Sequence, residues 1–519
     1  KDSLNSIESH TDVLPTNIIF SDTIWNVRRS EIKTTQKKLC VENFILEREN
    51  EYLKLHGVAS SNEEDSLFLD VHQLRLAYLH QFLPMGVISV DGYVTGNASV
   101  SSVFKNMDLA VFAEVEDFVF NESTLGDAIV QSVWDKKDKK LLTDIAIREG
   151  AVEIGSLRGD IYPQIPISLD LAIQADHLKI DFLQAFLQTV IQNVKGKAST
   201  DNLRMSGALV SPVFEGDLYL KDASFELDFL KTKYQFSDFI RLDKRSFSLS
   251  NIKIYDMENN FGVVSGKINH QLYQNFTYNM HGTFNNILGL NTKKTDNPDF
   301  YGKVYGSGTL MIQGNSQMGT FDIGMKTEAN SKLIIPFATT LNASDNTFIS
   351  FINRKGETTQ VRERENRVSS ASIKSPFKIK VNLQIDATPD GEIQLIVDPI
   401  GGDVIKATGD GSIKLTYDED ENEAIKMYGN YVINSGMYHF TLQNVINKNF
   451  KITEGSTMNW NGSPYTPDIN IDASYSLSAS LLDLLDESML TDMKRSTVPV
   501  NCLLNLRGDL TQPTIKFDI

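Results

Sequence analysis

The stretch YGNYVINSGMYHFTL, residues 428–442, decides the fold class, because its large apolar residues recur at every second position. Tyr431 and Ile433 share one side; Gly436 then predicts a turn, and Tyr438 begins a second series of the same kind. Successive side chains of a β-strand point to opposite faces, so this spacing collects the apolar groups on one face. The stretch predicts a β-sheet whose apolar face needs an apolar cover.

The same alternation recurs along most of the chain, for example at Leu109, Val111, Ala113 and Val115 and at Ile379, Val381, Leu383 and Ile385. Turn signals lie between such runs: Gly96-Asn97, Asp390-Gly391 and Asp410-Gly411. We therefore predict a mainly β fold, an elongated and curled sheet in the form of an open groove, with a few short helices.

Internal repeats support an array of similar units. Residues 72–83 align without gaps onto residues 176–187, and in both copies a strand is predicted to run into a short turn of helix. A second similarity pairs residues 216–225 with residues 429–438. Self-similarity over long periods is typical of quasi-one-dimensional architectures.

We predict two domains, a repeating β-groove segment over 1–195 and a C-terminal β-groove domain over 196–519. Within the second domain, the charge-rich residues 353–375 predict a mobile loop. The leucine-rich residues 480–492 predict a short amphipathic helix. That helix either caps the apolar face or contacts a partner or a membrane.

Composition and charge limit the function. Of 519 residues, 41% are hydrophobic and 23% are charged, which is typical of a folded protein. The net charge of -17 opposes a large phosphate-binding surface, so nucleic acid is not an expected partner. The chain begins at Lys1 without Met or an apolar leader, which predicts a fragment or a processed product.

Motifs for catalysis or cofactor binding are missing from the sequence. It contains no nucleophile elbow, zinc-protease helix or phosphate-binding loop, and its two cysteines, Cys40 and Cys502, are too few for a disulfide framework. Asp418 opens a segment that resembles a calcium loop, but Glu423 replaces the required glycine, so a hairpin tip is the better interpretation. We predict a protein that is not an enzyme and has no cofactor and no metal site.

The C-terminal run resembles the TamB family, the translocation and assembly module proteins of diderm bacteria within the wider AsmA-like group. The resemblance is carried by residues 428–440, 450–464, 468–475 and 506–519. It implies a periplasmic protein, anchored in the inner membrane by an N-terminal part absent from this chain, with a β-groove that conducts lipid. It also implies that the C-terminal end meets an Omp85-type outer-membrane barrel of the TamA or BamA kind.

The predicted function is to carry phospholipid between the inner and outer membranes, with the acyl chains against the apolar face. The predicted lining residues are Leu218, Leu220, Phe225, Leu227, Phe229, Tyr431, Ile433, Tyr438, Phe440, Leu442, Phe450, Ile452, Trp460, Ile469, Ile471 and Tyr475. Of three alternatives, a membrane-embedded barrel is disfavoured, because the strands show no clear aromatic girdles or short turns on one side; two others remain open. One is a module that assists insertion and secretion of outer-membrane proteins with the Omp85-type partner; the other is a filled β-solenoid that binds polysaccharide or acts as an adhesin.

Overall fold

The computed structural model describes residues 8–20, 23–81, 89–184, 191–337, 378–398, 402–418, 420–421, 424–442, 446–480 and 497–519. The predicted loop at 353–375 lies outside these residues. The predicted helix at 480–492 also lies outside them, except for its first residue.

The described residues form strands almost throughout, which confirms the mainly β prediction. The first fifteen strands are β1 (Ser9–Val13), β2 (Thr16–Phe20), β3 (Thr23–Val27), β4 (Ser30–Thr34), β5 (Lys38–Arg48), β6 (Glu51–Ser60), β7 (Ser66–Arg75), β8 (Val90–Ser101), β9 (Asp108–Phe120), β10 (Ser123–Asp135), β11 (Lys140–Glu149), β12 (Val152–Tyr162), β13 (Ser168–Lys179), β14 (Gln192–Ala208) and β15 (Ser211–Leu227). The next sixteen are β16 (Thr232–Asp243), β17 (Ser246–Asp256), β18 (Phe261–Gln271), β19 (Gln274–Thr292), β20 (Tyr301–Asn315), β21 (Met318–Thr327), β22 (Lys332–Pro336), β23 (Lys378–Ala387), β24 (Glu392–Asp398), β25 (Asp403–Asp418), β26 (Ile425–Leu442), β27 (Ile446–Ile452), β28 (Ser456–Gly462), β29 (Asp468–Ser480), β30 (Thr497–Asp509) and β31 (Thr514–Asp518).

The chain divides into two compact units. The first unit comprises Lys1–Asp228, Lys233–Ile254 and Lys267–Gln274. The second comprises Phe229–Thr232, Tyr255–Gly266 and Asn275–Ile519. The boundary predicted between residues 195 and 196 falls inside β14, within the first unit, and the division into two domains stays a prediction.

The first unit is a ladder of antiparallel strands. From β5 to β15 each strand pairs with the next one along the chain. Before this ladder, β4 and part of β3 pair with β5, while β1 pairs with β4 and β2 with β3. Neighbours in sequence are therefore neighbours in the sheet from β5 to β15, as in an antiparallel meander.

The second unit interrupts its antiparallel ladder with two parallel pairings. β20 pairs with both β21 and β22; β21 then lies parallel to β23, and β22 parallel to β24. β23 and β24 both pair antiparallel with β25. The strands β21 and β22 together, and likewise β23 and β24 together, therefore take the position of one long strand in the sheet. From β25 the ladder continues through β26 to β27 and β28, then to β29, β30 and β31.

The repeat of residues 72–83 in residues 176–187 is also structural. The described helical segments are two 3-10 turns, Leu76–Gln81 after β7 and Asp181–Leu183 after β13. The aligned residues Gln73 and His177 both have a left-handed backbone, with φ of 50° and 62°. Each donates its N–H to a hydroxyl of the next strand, Thr95 or Ser199, at 3.1 Å. Thr95 and Ser199 are the same number of residues apart in sequence as Gln73 and His177, so the hydrogen bond belongs to the repeat.

The second similarity corresponds to a pair of β-bulges. In β15, Asp222 and Ala223 lie opposite the single residue Gly196 of β14. In β26 the register with β25 shifts and leaves Asn434 as an extra residue. One extra residue changes which alternate side chains face a given side. The bulges therefore keep the apolar residues before and after them on the same face.

Three predicted turns are wrong. Gly96-Asn97, Asp410-Gly411 and Gly436 lie inside β8, β25 and β26. At Gly96 a Cβ atom would stand 2.3 Å from the carbonyl oxygen of Phe112 on the neighbouring strand. Glycine is needed there because two backbones approach closely. From sequence alone, such a glycine cannot be distinguished from a glycine in a turn.

Candidate functional site

One apolar row crosses nine consecutive strands of the first unit. Residues that pair directly across antiparallel strands point to the same face, so the register defines the row. It runs from β6 to β14 through Leu53, Val71, Gly96, Ala113, Val130, Ile145, Leu157, Ile173 and Leu203. Its members are half-buried except Leu203, which is buried. Protein atoms thus cover this face only in part.

The opposite face of the same strands is charged. Ion pairs link neighbouring strands there, with Arg158 on Asp144 at 3.1 Å and a short contact between Arg204 and Asp170. The Arg204 guanidinium holds the pKa of the Asp170 carboxyl below its usual value. The first unit therefore has one face suited to water and one suited to apolar matter.

The two 3-10 turns carry aromatic rings that pack on rings of the sheet. Tyr78 of the first turn meets Trp25 edge to face at a centroid distance of 5.7 Å. Phe182, the residue aligned with Tyr78 in the repeat, meets Phe120 edge to face at 5.3 Å. Phe182 also packs against the buried cluster of Leu125, Ile147 and Ile154. Each turn thus fastens one end of its strand against the sheet.

The predicted lining residues in and just after β15 differ in how deeply they are buried. Leu220 is buried in a cluster with Ile180, Val194, Ala198 and Ala223. Leu218 and Phe225 pack partly buried against that cluster, and Leu227 is half-buried. Phe229 follows the end of β15, is 69% exposed, and lies 6.2 Å from the ring of Phe300.

The predicted lining residues of the second unit come together in one tightly closed cluster. Nine of them are at most 5% exposed: Tyr431, Ile433, Tyr438, Phe440, Phe450, Ile452, Trp460, Ile469 and Ile471. Tyr475 packs partly buried against them, whereas the side chain of Leu442 lies outside the described part of the chain. Leu504 and Leu506 of β30 belong to the same cluster. These residues form a packed core in this structure.

Burial changes the acidity of two tyrosines in this core. It raises the pKa of Tyr431 and of Tyr438 well above the ordinary value for a phenol. The hydroxyl of Tyr438 donates to Asp403 at 3.1 Å, and that carboxylate also accepts the N–H of Thr441 at 2.7 Å. Both phenols therefore stay neutral at physiological pH, and their role is in packing.

A buried carboxylate, Asp256, is explained by local structure. It accepts the N–H groups of Glu258 and Asn260 on one oxygen and that of Leu288 on the other, at 2.8 to 3.0 Å. The side-chain amide of Asn260 gives a fourth hydrogen bond. A charge with this many donors is stabilised where it lies, so Asp256 ties a turn to β19.

The described residues contain no group of His, Cys, Asp and Glu that could hold a metal ion. Nor do they include a helix long and apolar enough to cross a membrane.

Comparison with known protein families gives one match. A family model described as the TamB C-terminal domain covers residues 250–519, slightly more than half of the chain. The chain belongs to the TamB family. No match is found among curated proteins. TamB proteins are non-catalytic, occur in the periplasm of diderm bacteria and act in outer-membrane protein assembly with TamA as partner.

Proposed function

We propose that this TamB-family chain carries phospholipid between the inner and outer membranes through the periplasm, with acyl chains lying on its apolar faces. The observation that carries the proposal is the half-buried apolar row from β6 to β14. A folded protein usually covers such a face completely. Here nine strands share a face that is left partly open.

The magnitude of the hydrophobic effect explains why a carrier needs a continuous face. Exposing a 16-carbon acyl chain to water costs on the order of 12 kcal/mol, at about 0.8 kcal/mol for each methylene. A lipid that crosses an aqueous space has to remain covered at each step. Successive strands offer side chains about 4.8 Å apart, so an acyl chain can pass from one strand to the next without leaving an apolar surface.

The charged opposite face supports the same proposal. It keeps the protein in water while the apolar face holds lipid, and headgroups remain in solvent at the margin of the sheet. A face lined with aliphatic side chains distinguishes poorly between headgroups. We therefore expect several phospholipid classes to bind.

Photo-crosslinking in cells tests the proposal. A photoreactive amino acid at Ile145 or Leu157, on the apolar row, is expected to give phospholipid adducts. The same amino acid at the adjacent outward positions Asp144 and Arg158 is expected to give none. Equal labelling at inward and outward positions would contradict lipid carriage along this face.

A second function is favoured by the last described strand. Ile515 and Phe517 of β31 pair with Leu506 and Leu504 of β30 and so share the face of the core, yet they are 41% and 56% exposed. An exposed apolar strand is suited to adding a partner strand. We propose as the alternative an assembly module that docks an Omp85-type barrel here. Phe517→Asp should then abolish isolation of the chain with that barrel and leave bound lipid unchanged.

A further inference from the structure

The second unit has an apolar face that the predicted lining residues do not include. Two rows cross β20, β21, β23, β25 and β26 in register: Ile312, Phe321, Val381, Tyr417 and Ile425, and beside them Leu310, Ile323, Leu383, Leu415 and Met427. All ten residues are half-buried.

The same face closes farther along the strands. In the next row Ile413 is 4% exposed and Trp460 of β28 is 5% exposed. Beyond them Tyr431, Met458 and Ile469, which are in register across β26, β28 and β29, are at most 1% exposed. A single face thus passes from half-open rows to a sealed core within one unit.

The two regions present different conditions to an acyl chain. On the half-open rows it would cover apolar surface that already faces solvent, which is favourable. To enter the core it would have to displace Tyr431, Met458 and Trp460 from a close-packed interior, which is unfavourable because such interiors contain few voids. The packed core therefore blocks the acyl chain from moving farther along this face.

We propose that the face of β20 to β26 is a blind-ended acyl-chain site of the second unit, closed by the core around Tyr431 and Trp460. This inference rests on the proposed lipid carriage and specifies the point on the second unit beyond which an acyl chain does not pass. Acyl chains reach Leu383 and Leu415 and do not pass beyond Ile413. Transfer onward from this unit then takes place at the half-open rows and not through the last five strands.

The three tryptophans of the chain are suitable probes, because bromine on an acyl chain quenches indole emission on contact. Trp134 lies half-buried on the apolar face of the first unit, whereas Trp25 and Trp460 are 1% and 5% exposed. The full chain is mixed with phosphatidylethanolamine vesicles whose acyl chains carry bromine. The natural chain is expected to lose the emission of Trp134, and Trp134→Phe is expected to lose almost none.

Two further variants in the Trp134→Phe background locate the site. Leu383→Trp is expected to restore quenching, and Asn382→Trp, one residue away on the outward face, is not. The inference is overturned if Trp134→Phe remains strongly quenched and adding Trp460→Phe removes that quenching, or if Leu383→Trp is not quenched. Lipid carriage itself fails separately, if the natural chain shows no quenching at Trp134.

Discussion

At the scale of single residues, a buried histidine links the stability of the first unit to pH. His270 is 3% exposed and packs against the rings of Phe247 and Tyr273, at centroid distances of 4.8 and 4.6 Å. The N–H of Tyr273 donates to its Nδ1 at 3.3 Å, which requires that nitrogen to be unprotonated. Burial lowers the pKa of His270 below its ordinary value of 6.5.

The sign of the effect follows from this lowered pKa. As pH falls below about 6.5, the unfolded chain takes up a proton that the folded chain excludes, so folding loses stability. The contribution of neutral His270 to the free energy of unfolding is complete above that pH. It is lost progressively as the pH falls towards the lower pKa of the folded state. Urea unfolding followed by the emission of Trp25 and Trp134 should show lower stability at pH 5.5 than at pH 7.5.

Two variants separate His270 from the other titrating groups. His270→Phe keeps an aromatic ring in the cluster and should make the free energy of unfolding depend less on pH over this range. His72→Phe makes the same substitution at a partly exposed histidine on β7 and controls for the change of ring itself. An unchanged pH profile for His270→Phe would show that the ring does not cause the dependence.

At the scale of elements, the bulges set which side chains share a face, and glycine makes them fit. Gly196 has φ of 137°, and a Cβ atom there would stand 2.7 Å from the Cα of Ala223. Gly155 in β12 has ordinary space, since the nearest atom to a Cβ would be the Gln174 oxygen at 3.5 Å. Gly196→Ala should cost roughly 2 kcal/mol or more, because both the backbone and the neighbouring strand resist it.

The matched substitution Gly155→Ala should be tolerated within about 1 kcal/mol, since Ala in a strand loses less conformational entropy than Gly. Both variants are compared by urea unfolding, with amide hydrogen exchange at Leu220 and Ala223 to localise the effect. Equal stability of the two variants would mean that the bulge opposite Gly196 adapts to a side chain.

The same elements show what the sequence predicts well. Period-two alternation predicts the strands and the face of each side chain, because both depend on neighbours within one strand. The repeat of residues 72–83 predicts a short helical turn after each of two strands, and the structure has a 3-10 turn after each. The turns predicted at Gly96 and Gly436 are wrong because these glycines allow another strand to approach closely. Which strand approaches cannot be predicted from the residues around the glycine.

At the scale of each whole unit, the predicted lining residues differ in burial depth, and their role as a lipid lining stays a prediction. Leu218 and Ile433 alternate in the same way in sequence, yet the first is half-buried and the second is completely covered. The burial of a side chain depends on which other residues pack on its face of the sheet. The alternation within one strand does not reveal those residues. Phe229 departs further, since β15 ends before it and the alternation no longer applies.

The open face of the first unit allows a test that leaves the fold intact. Val130 and Gln131 are adjacent in β10, Val130 on the half-buried apolar row and Gln131 exposed on the outward face. A lysine at a half-buried position can extend its ammonium group into water, so Val130→Lys should fold. It should nevertheless reduce the phospholipid that is isolated with the chain, because a bound acyl chain would have to desolvate the charge.

Gln131→Lys adds the same charge one residue away on the other face and is the matched control. Native mass spectrometry of the purified full chains measures bound phospholipid, and circular dichroism checks that both variants retain their strands. We expect Val130→Lys to lose most of its lipid and Gln131→Lys to keep it. If both lose lipid equally, general electrostatics is responsible; if neither does, the apolar row from β6 to β14 does not hold the acyl chains.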